Sequence, residues 1–186
     1  MTKIALLFAT LLAATGASAQ TVKLQTSEGD IRIELNAEKA PKSVANFLQY
    51  VKAGHYNGVI FHRVIPNFMV QTGGYDAKLK QRPTKPPIPL ESGNGLLNLR
   101  GTVAMARTGD PNSATSQFFV NVVDNIFLDA DVGRTGTGYA VFGQVVEGME
   151  VVDKIRAAET KAVGVFENLP IKPVFITKAL IEPAKK

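Results

Sequence analysis

Alternation of apolar and polar residues over positions 22–35 restricts the fold of this 186-residue chain more than any other local pattern. Residues 22–26 and 31–35 each place aliphatic or threonine side chains at every second position, with charged or amide side chains between them. Side chains along a strand point alternately to two faces, so both segments are predicted strands with one buried face. Gly29 lies in the turn between them, and the whole segment is therefore predicted to form a β-hairpin.

Short β-like runs continue through the rest of the chain, separated by loops that contain Gly, Pro or Asn. They lie at 59–64, 68–72, 102–106, 117–122, 139–145 and 174–181. Many short strands with turn residues between them are typical of an antiparallel, mainly β protein. Because the first and last elements are both strands, the sheet could close on itself and leave no free edge.

Two helices interrupt the strands. The first is predicted from Pro41 to Ala53, because Val44, Phe47, Leu48 and Val51 form an apolar stripe with helical spacing. The second is predicted at 149–157, again with apolar residues spaced three apart. No linker, repeat or change in composition indicates a second domain, so we expect one domain over residues 20–186.

The first 19 residues have the pattern of a secretory signal peptide. A lysine at position 3 precedes an apolar stretch at 4–14, and Ala17-Ser18-Ala19 is a small-x-small cleavage site. This pattern predicts cleavage after Ala19 and export, with the bacterial periplasm as the simplest destination. An uncleaved membrane anchor is the alternative, but the apolar stretch is short for a membrane span.

Composition argues against several classes of function. The absence of cysteine excludes disulfides and thiolate metal sites, and with only two histidines we expect no metal and no cofactor. The net charge is +5, but the one basic cluster, at 78–85, lies among prolines with Tyr75 as the only nearby aromatic residue. It therefore indicates a solvated loop rather than a nucleic-acid site.

The segment FHRVIPNFMVQTGG, at 61–74, mixes large apolar residues with His62, Arg63 and Gln71. A core strand would avoid an unpaired guanidinium, whereas a pocket with an apolar lining and a few polar groups would use both kinds of residue. A hydrolase triad of His62, Ser116 and an aspartate is conceivable, but no GxSxG motif surrounds Ser116. The glycine-rich stretch at 133–138 lacks the order of a phosphate-binding loop and indicates a turn.

Several blocks of the chain, in order, resemble the cyclophilin family of peptidyl-prolyl isomerases, and most closely its bacterial periplasmic branch. They are Phe61-His62-Arg63, Phe68-Met69-x-Gln71, Met105-Ala106, Ser116-Gln117-Phe118-Phe119 and Val141-Phe142-Gly143. The resemblance implies a closed eight-stranded antiparallel barrel with a helix over each end and an active groove on its outer wall. It also implies rotation about Xaa-Pro bonds as the activity, assisting the folding of exported proteins.

The resemblance assigns roles to thirteen residues. The catalytic set would be Arg63, Gln71 and His62, and the substrate-binding set would be Phe68, Met69, Ala106, Arg107, Thr108, Gln117, Phe119, Phe127, Leu128 and Tyr139. For His62, substrate binding at the rim and satisfaction of local backbone groups remain equal alternatives. The expected partners are proline-containing segments of unfolded or folding exported proteins, without nucleic acid or membrane, and we expect a monomer.

One alternative function and three departures from the family pattern remain to be named. A peptide-binding chaperone without catalysis could use the same groove, although Arg63 and Gln71 favour the enzyme. Phe127, Tyr139 and Arg107-Thr108 differ from the eukaryotic pattern of the family, where Trp, His and Asn-Ala are common at these places. Phe127 lacks an indole N–H, so we predict weak cyclosporin binding.

Overall fold

The computed structural model describes residues 20–130 and 137–183. The predicted signal peptide, residues 1–19, and most of the predicted glycine-rich turn at 133–138 lie outside this range. Two α-helices, α1 (Pro41–Lys52) and α2 (Met149–Arg156), occur among the described residues. Neither is long and apolar enough to cross a membrane.

The predicted N-terminal hairpin is confirmed as β1 (Gln20–Thr26) and β2 (Gly29–Leu35). The other strands are β3 (Val59–Ile60), β4 (Arg63–Ile65), β5 (Met69–Thr72), β6 (Thr102–Met105), β7 (Phe118–Asn121), β8 (Val141–Glu147), β9 (Thr160–Val163), β10 (Phe166–Pro170) and β11 (Phe175–Glu182).

Nine of these strands form one curled antiparallel sheet in the order β3-β11-β1-β2-β8-β6-β7-β5-β4. The edge strands β3 and β4 are separated in sequence by only Phe61 and His62. The Phe61 N–H donates to the Val174 carbonyl at 2.8 Å, and the His62 N–H donates to the Gln71 carbonyl at 3.1 Å. The chain itself thus passes from one edge of the sheet to the other and brings the two edges together.

The predicted closed eight-stranded barrel is therefore only approximately right. The sheet has eight strands if β3 and β4 count as one interrupted strand, but the continuous strand predicted over 59–64 is wrong. Phe61 and His62 interrupt it because their backbone N–H groups bond to opposite edges. Arg63 follows the interruption directly and pairs with Gln71 of β5.

Apolar side chains from the concave faces of the strands and from both helices fill the inside of the curled sheet; we call them the interior cluster. Its largest members with almost no exposure include Phe47, Tyr56, Phe61, Phe118, Phe142 and Ile155. Helix α1 begins beyond the C-terminal end of β2, whereas Val151 of α2 contacts the opposite end of the hairpin. A Cβ at Gly29 would lie 2.8 Å from Val151 Cγ2, so the close approach of α2 requires glycine there.

The first helix is stabilised by a contact that the sequence pattern does not predict. Its apolar stripe is buried, but its N-cap residue, Ala40, provides no side-chain acceptor. Glu91, in a distant loop, instead accepts hydrogen bonds from the Lys42 and Ser43 backbone N–H groups at 3.0 and 2.8 Å. A carboxylate at this position satisfies two otherwise free donors and interacts favourably with the helix dipole.

Strands β9 and β10 form a separate two-stranded hairpin that the sequence analysis missed. The apolar alternation of this segment is weak, because β9 is mostly exposed or half-buried. The available signal was the turn between Val163 and Phe166, where Gly164 has φ of +57° and is followed by Val165. A Gly-Xaa pair between two strands is a known hairpin signature.

Candidate active site on the outer wall

Strands β4 and β5 present different side chains to the two faces of the sheet. Arg63 lies directly opposite Gln71, and Val64 lies opposite Val70. The two valines are buried in the interior cluster, whereas Arg63 is exposed and Gln71 is half-buried. The polar residues that appeared out of place in a core strand therefore lie on the convex face.

The convex face carries a second, smaller set of buried apolar residues: Met69, Ala104, Phe119, Leu128 and Val141. We call this set the outer cluster. A pocket of about 200 Å³ opens over it. Nine of the thirteen predicted site residues line this pocket: Arg63, Phe68, Met69, Gln71, Ala106, Arg107, Phe119, Leu128 and Tyr139.

The polar side chains at one end of the pocket form a short hydrogen-bonded chain. Arg63 Nη1 donates to Gln71 Oε1 over 3.4 Å, and Gln71 Nε2 donates to Gln117 Oε1 over 2.9 Å. The second bond fixes which end of the Gln71 amide faces Arg63. The first is long, so the guanidinium keeps donor capacity toward the pocket. Gln117 does not line the pocket but sits behind Gln71.

Space for the Gln117 side chain depends on Gly74. A Cβ at this glycine would lie 2.7 Å from both Cδ and Nε2 of Gln117. Carbon and nitrogen atoms cannot approach so closely, so any larger residue would displace the amide that orients Gln71. The TGG sequence that ends the opening segment is therefore part of the support for the site, a role that the sequence analysis did not assign.

The opposite end of the pocket is closed by Arg107 and Tyr139. The Arg107 guanidinium lies over the Tyr139 ring, with its Cζ 4.5 Å from the ring centroid. Arg107 also donates to the Gly138 carbonyl, the Thr108 carbonyl and the Thr137 hydroxyl at 3.0, 2.9 and 2.9 Å. These bonds hold the guanidinium over the ring, and both residues line the pocket.

Phe127 and Leu128 lie on a 3-10 helix, Ile126–Leu128, beside the pocket. Leu128 is buried in the outer cluster. Phe127 is 45% exposed and stacks on Phe68 with ring centroids 5.5 Å apart. Phe127 thus lies outside the lining itself and extends the apolar surface around it.

A buried polar network holds this 3-10 helix in place, and the sequence analysis missed it. Asp129 Oδ1 accepts hydrogen bonds from the backbone and side-chain nitrogens of Asn98 at 2.7 and 2.9 Å. Asn125 Nδ2 donates to the Phe68 carbonyl at 2.8 Å. Asn125 and Asp129 flank the apolar triplet of the helix, and this polar-apolar-polar spacing is the signal that could have identified them.

His62 is placed behind the pocket wall and does not line it. The residue is 5% exposed, and its ring packs against Tyr75 and Phe166. Burial lowers the pKa of His62 to about 4, and the neighbouring Ile60 carbonyl and Gln117 side chain, which favour the protonated ring, offset only part of this effect. The imidazole is therefore neutral at physiological pH, and its Nδ1 has no hydrogen-bond partner within the described residues.

Thr108 is exposed and also lies outside the pocket lining. Its hydroxyl donates to the Ser113 hydroxyl at 2.9 Å, in the loop that follows β6. Ser116 and His62, the pair considered for a hydrolase triad, are not hydrogen-bonded to each other: the Ser116 hydroxyl donates to the Gly73 carbonyl at 2.8 Å. Among the described residues, no group of three or more His, Cys, Asp or Glu side chains is placed to hold a metal ion.

Comparisons with known proteins identify the family of the chain. The family described as cyclophilin type peptidyl-prolyl cis-trans isomerase/CLD matches residues 21–180. Peptidyl-prolyl cis-trans isomerase A of Dickeya dadantii (strain 3937) is 57% identical over 160 residues, which are 86% of this chain and 83% of that protein. A peptidyl-prolyl cis-trans isomerase of Acinetobacter baylyi is 52% identical over 181 residues, 97% of this chain and 95% of its own length.

Solved structures are similar as well. A cyclophilin type peptidyl-prolyl cis-trans isomerase from Cryptosporidium parvum, crystallised in the presence of the dipeptide Ala-Pro, superposes with a TM-score of 0.73 at 25% identity. The match covers 88% of this chain and 99% of that one. Sequence and fold comparisons agree, and the family expected from the sequence is confirmed. The chain therefore belongs to the cyclophilin-type peptidyl-prolyl cis-trans isomerases and is an enzyme that accelerates rotation about Xaa-Pro peptide bonds.

Proposed function

We propose that the outer-wall pocket is the active site of this isomerase, that its apolar floor holds the proline ring of a polypeptide, and that Arg63 is its principal catalytic residue. The observation that carries this proposal is an exposed guanidinium beside an apolar pocket. Arg63 faces the same small cavity as Met69, Phe119 and Leu128, which are buried. A pocket with an apolar lining and a few placed polar groups suits a proline ring with a polar amide attached.

The chemistry follows from the electronic structure of the amide. Rotation about the C–N bond breaks amide resonance and meets a barrier of about 18–20 kcal/mol. In the twisted state the nitrogen lone pair is no longer conjugated and becomes a hydrogen-bond acceptor. A cationic donor that bonds to this nitrogen stabilises the transition state more than the planar ground states, which is the condition for catalysis.

The hydrogen-bonded chain behind Arg63 supports this role. Gln117 fixes the Gln71 amide, and the Gln71 oxygen then offers an acceptor to Arg63. An orientation set before the substrate binds avoids reorganisation during rotation. Gln71 could also donate to a substrate carbonyl when the peptide displaces one of its contacts. His62 is neutral and enclosed, so we assign it to the packing behind Gln117 rather than to substrate binding.

Exchange of a short Ala-Pro peptide, followed by NMR exchange spectroscopy, tests the role of Arg63. We expect Arg63→Ala to lower kcat/KM by about 10²–10³-fold, the usual effect of removing one transition-state donor. Arg63→Lys should recover only part of this loss, because an ammonium cannot reproduce the fork of guanidinium donors. Arg32→Ala, which removes a guanidinium on β2 with surface ion pairs to Glu147 and Glu182, is the matched control. Full activity of Arg63→Ala would refute the mechanism.

The proposed clients are proline-containing segments of exported proteins, and the proposed compartment is the periplasm. Support comes from the signal-peptide pattern of residues 1–19. Expression in a bacterial host, followed by fractionation and N-terminal sequencing, should give a periplasmic protein that begins at Gln20. Cytoplasmic protein that retains Met1 would contradict this proposal. Binding of unfolded clients that persists in Arg63→Ala would add a chaperone role to the catalytic one.

We further propose that cyclosporin inhibits this enzyme weakly. The Phe127 ring stacks on Phe68 at the edge of the pocket and has no side-chain N–H donor to offer a ligand. The drug is titrated against isomerase activity to test this, and inhibition at nanomolar concentration would contradict it.

A further inference from the structure

A second and larger depression lies on the outer wall, next to the proposed active site. It has a volume of about 640 Å³ and runs along the loop at 95–99 and the outward side of β2 and β8. We call it the leucine groove and define it by Leu96, Leu97, Leu99, Glu34 and Glu38, which line it. Its volume falls in the range of about 300–1,000 Å³ that is common for ligand sites.

Apolar side chains are held out toward solvent in this groove. Leu97 is 50% exposed and Leu99 is 40% exposed, while Asn98 between them is fully buried. Asn98 is fixed by its two bonds to Asp129, and its carbonyl accepts the Asn125 backbone N–H at 2.7 Å. Leu97 and Leu99 therefore project from a segment that hydrogen bonds hold in place, and this segment keeps both side chains at the surface. Clustered exposed apolar residues of this kind mark interaction sites.

The charge of the groove is opposite to that of the protein. Among the described residues that line it, Glu34 and Glu38 are the only ones with charged side chains, although the chain carries a net charge of +5. Neither carboxylate forms a salt bridge within residues 20–130 and 137–183. Two unpaired carboxylates beside exposed leucines favour a ligand that combines positive charge with apolar groups.

The leucine groove and the proline pocket share a wall. Leu96 and Val141 line the groove and also pack in the outer cluster with Met69 and Phe119, which line the pocket. The two depressions are thus neighbours on the same face, but no residue lines both. A ligand could occupy one without filling the other.

We propose that the leucine groove is a second polypeptide-binding site, which takes an extended segment carrying lysine or arginine beside aliphatic residues. Such a segment would place its aliphatic side chains on Leu97 and Leu99 and its cations near Glu34 and Glu38. Because the site is separate from the pocket, binding needs no proline.

Fluorescence anisotropy with a labelled, proline-free peptide of alternating lysine and leucine tests this proposal on the purified protein. Two further peptides serve as probes, one with glutamate in place of lysine and one with serine in place of leucine. We expect saturable binding of the lysine-leucine peptide only, and weaker binding at high salt, because the carboxylates are exposed. Removal of the proposed catalytic group, in Arg63→Ala, should leave this binding unchanged.

Variants of residues that line the leucine groove test whether the peptide binds there. The double variant Glu34→Lys/Glu38→Lys should weaken peptide binding about tenfold or more, since it turns two attractive contacts into repulsive ones. Leu97→Ser should weaken it as well. Matched controls are Glu28→Lys, in the hairpin turn at the far end of β1 and β2, and Val165→Ser, at the exposed tip of the β9–β10 hairpin. Both controls should bind as the wild type does, and the groove variants and both controls should isomerise the short Ala-Pro peptide normally.

Three results would overturn the proposal. One is the absence of saturable binding of the lysine-leucine peptide. Another is binding that the groove variants do not change. The third is sedimentation of the wild type as a dimer that Glu34→Lys/Glu38→Lys converts to monomer, because the groove would then be covered by a second copy of the chain. None of these results would affect the isomerase activity assigned to Arg63, so the two proposals fail independently.

Discussion

The interior cluster and the outer cluster are built from the same strands, yet they serve different purposes. On β7, Phe118 points into the curled sheet and contacts the rings of Phe47 and Tyr56. Phe119, the next residue, points outward and forms part of the pocket. Both rings are almost fully buried, so burial alone does not distinguish them. The difference is that the outer cluster borders a cavity with polar groups at its edge. The interior cluster has no need of such a cavity.

The neighbours Phe118 and Phe119 provide the strongest test of this distinction. We expect Phe118→Ala to lower the free energy of unfolding by about 3–5 kcal/mol, because it leaves a cavity among packed rings. Phe119→Ala should lose only about 1.5–3 kcal/mol, since its ring already borders an open pocket. Urea denaturation measures both values.

Activity should show the reverse order. Phe119→Ala should reduce kcat/KM at least about tenfold through loss of the pocket floor, whereas folded Phe118→Ala should remain close to wild type. Equal stability losses together with equal activities would remove the distinction between the two clusters.

The pH dependence of stability tests whether His62 is enclosed behind the pocket wall or contacts the substrate. Its pKa is lowered to about 4 in the folded protein, whereas the imidazole of an unfolded chain titrates near 6.5. As pH falls from about 6.5 to 4, the unfolded chain gains a proton that the folded chain does not, so stability is lost in this window. The loss should approach about 3 kcal/mol, because the ring is enclosed.

Denaturation curves of wild type and His62→Phe across this pH range measure the effect. His62→Phe should lose most of the slope, whereas His55→Gln should keep it, although burial also lowers the pKa of half-buried His55. Isomerase activity should show no titration step near pH 6.5. A step that disappears in His62→Phe would instead place His62 in contact with substrate.

A smaller effect is expected from the neighbours Gln71 and Thr72 on β5. Gln71→Leu should lower kcat/KM about tenfold, the value of one hydrogen bond, with little change in stability. Thr72→Val should affect stability rather than activity, because the Thr72 hydroxyl is buried and donates to the Ile60 carbonyl at 2.9 Å. It should lower the free energy of unfolding by about 1 kcal/mol and leave activity unchanged. A stability loss in Gln71→Leu as large as that in Thr72→Val would show that Gln71 is structural.

Much of the fold and of the candidate site was predictable from local patterns. Alternation identified the first hairpin, and an apolar stripe identified α1 within one residue of its observed end. The blocks around Arg63, Gln71 and Phe119 identified the family and nine residues of the pocket lining. These features are readable because strand and helix periodicities are local, and because the site residues occur in compact motifs.

Other features were not predictable, because they depend on contacts between distant segments. Glu91 caps α1 from a loop far along the chain, and Asn98 anchors the loop of the leucine groove through Asp129. The interruption of the predicted strand at Phe61 and His62 arises only when two sheet edges approach each other. The periodicity of a single segment contains no information about such distant partners.

The sequence by itself determined the mainly β class, the two helices and the chemical character of the FHRVIPNFMVQTGG segment. Tertiary structure decided which face each of its residues occupies. Closure of the sheet sends Val64 and Val70 inward and leaves Arg63 and Gln71 outside, while His62 is enclosed by Tyr75 and Phe166 and kept neutral. The physical reason is that alternation defines two faces of a strand, but only the approach of other strands and loops determines which face is enclosed and which one borders a pocket.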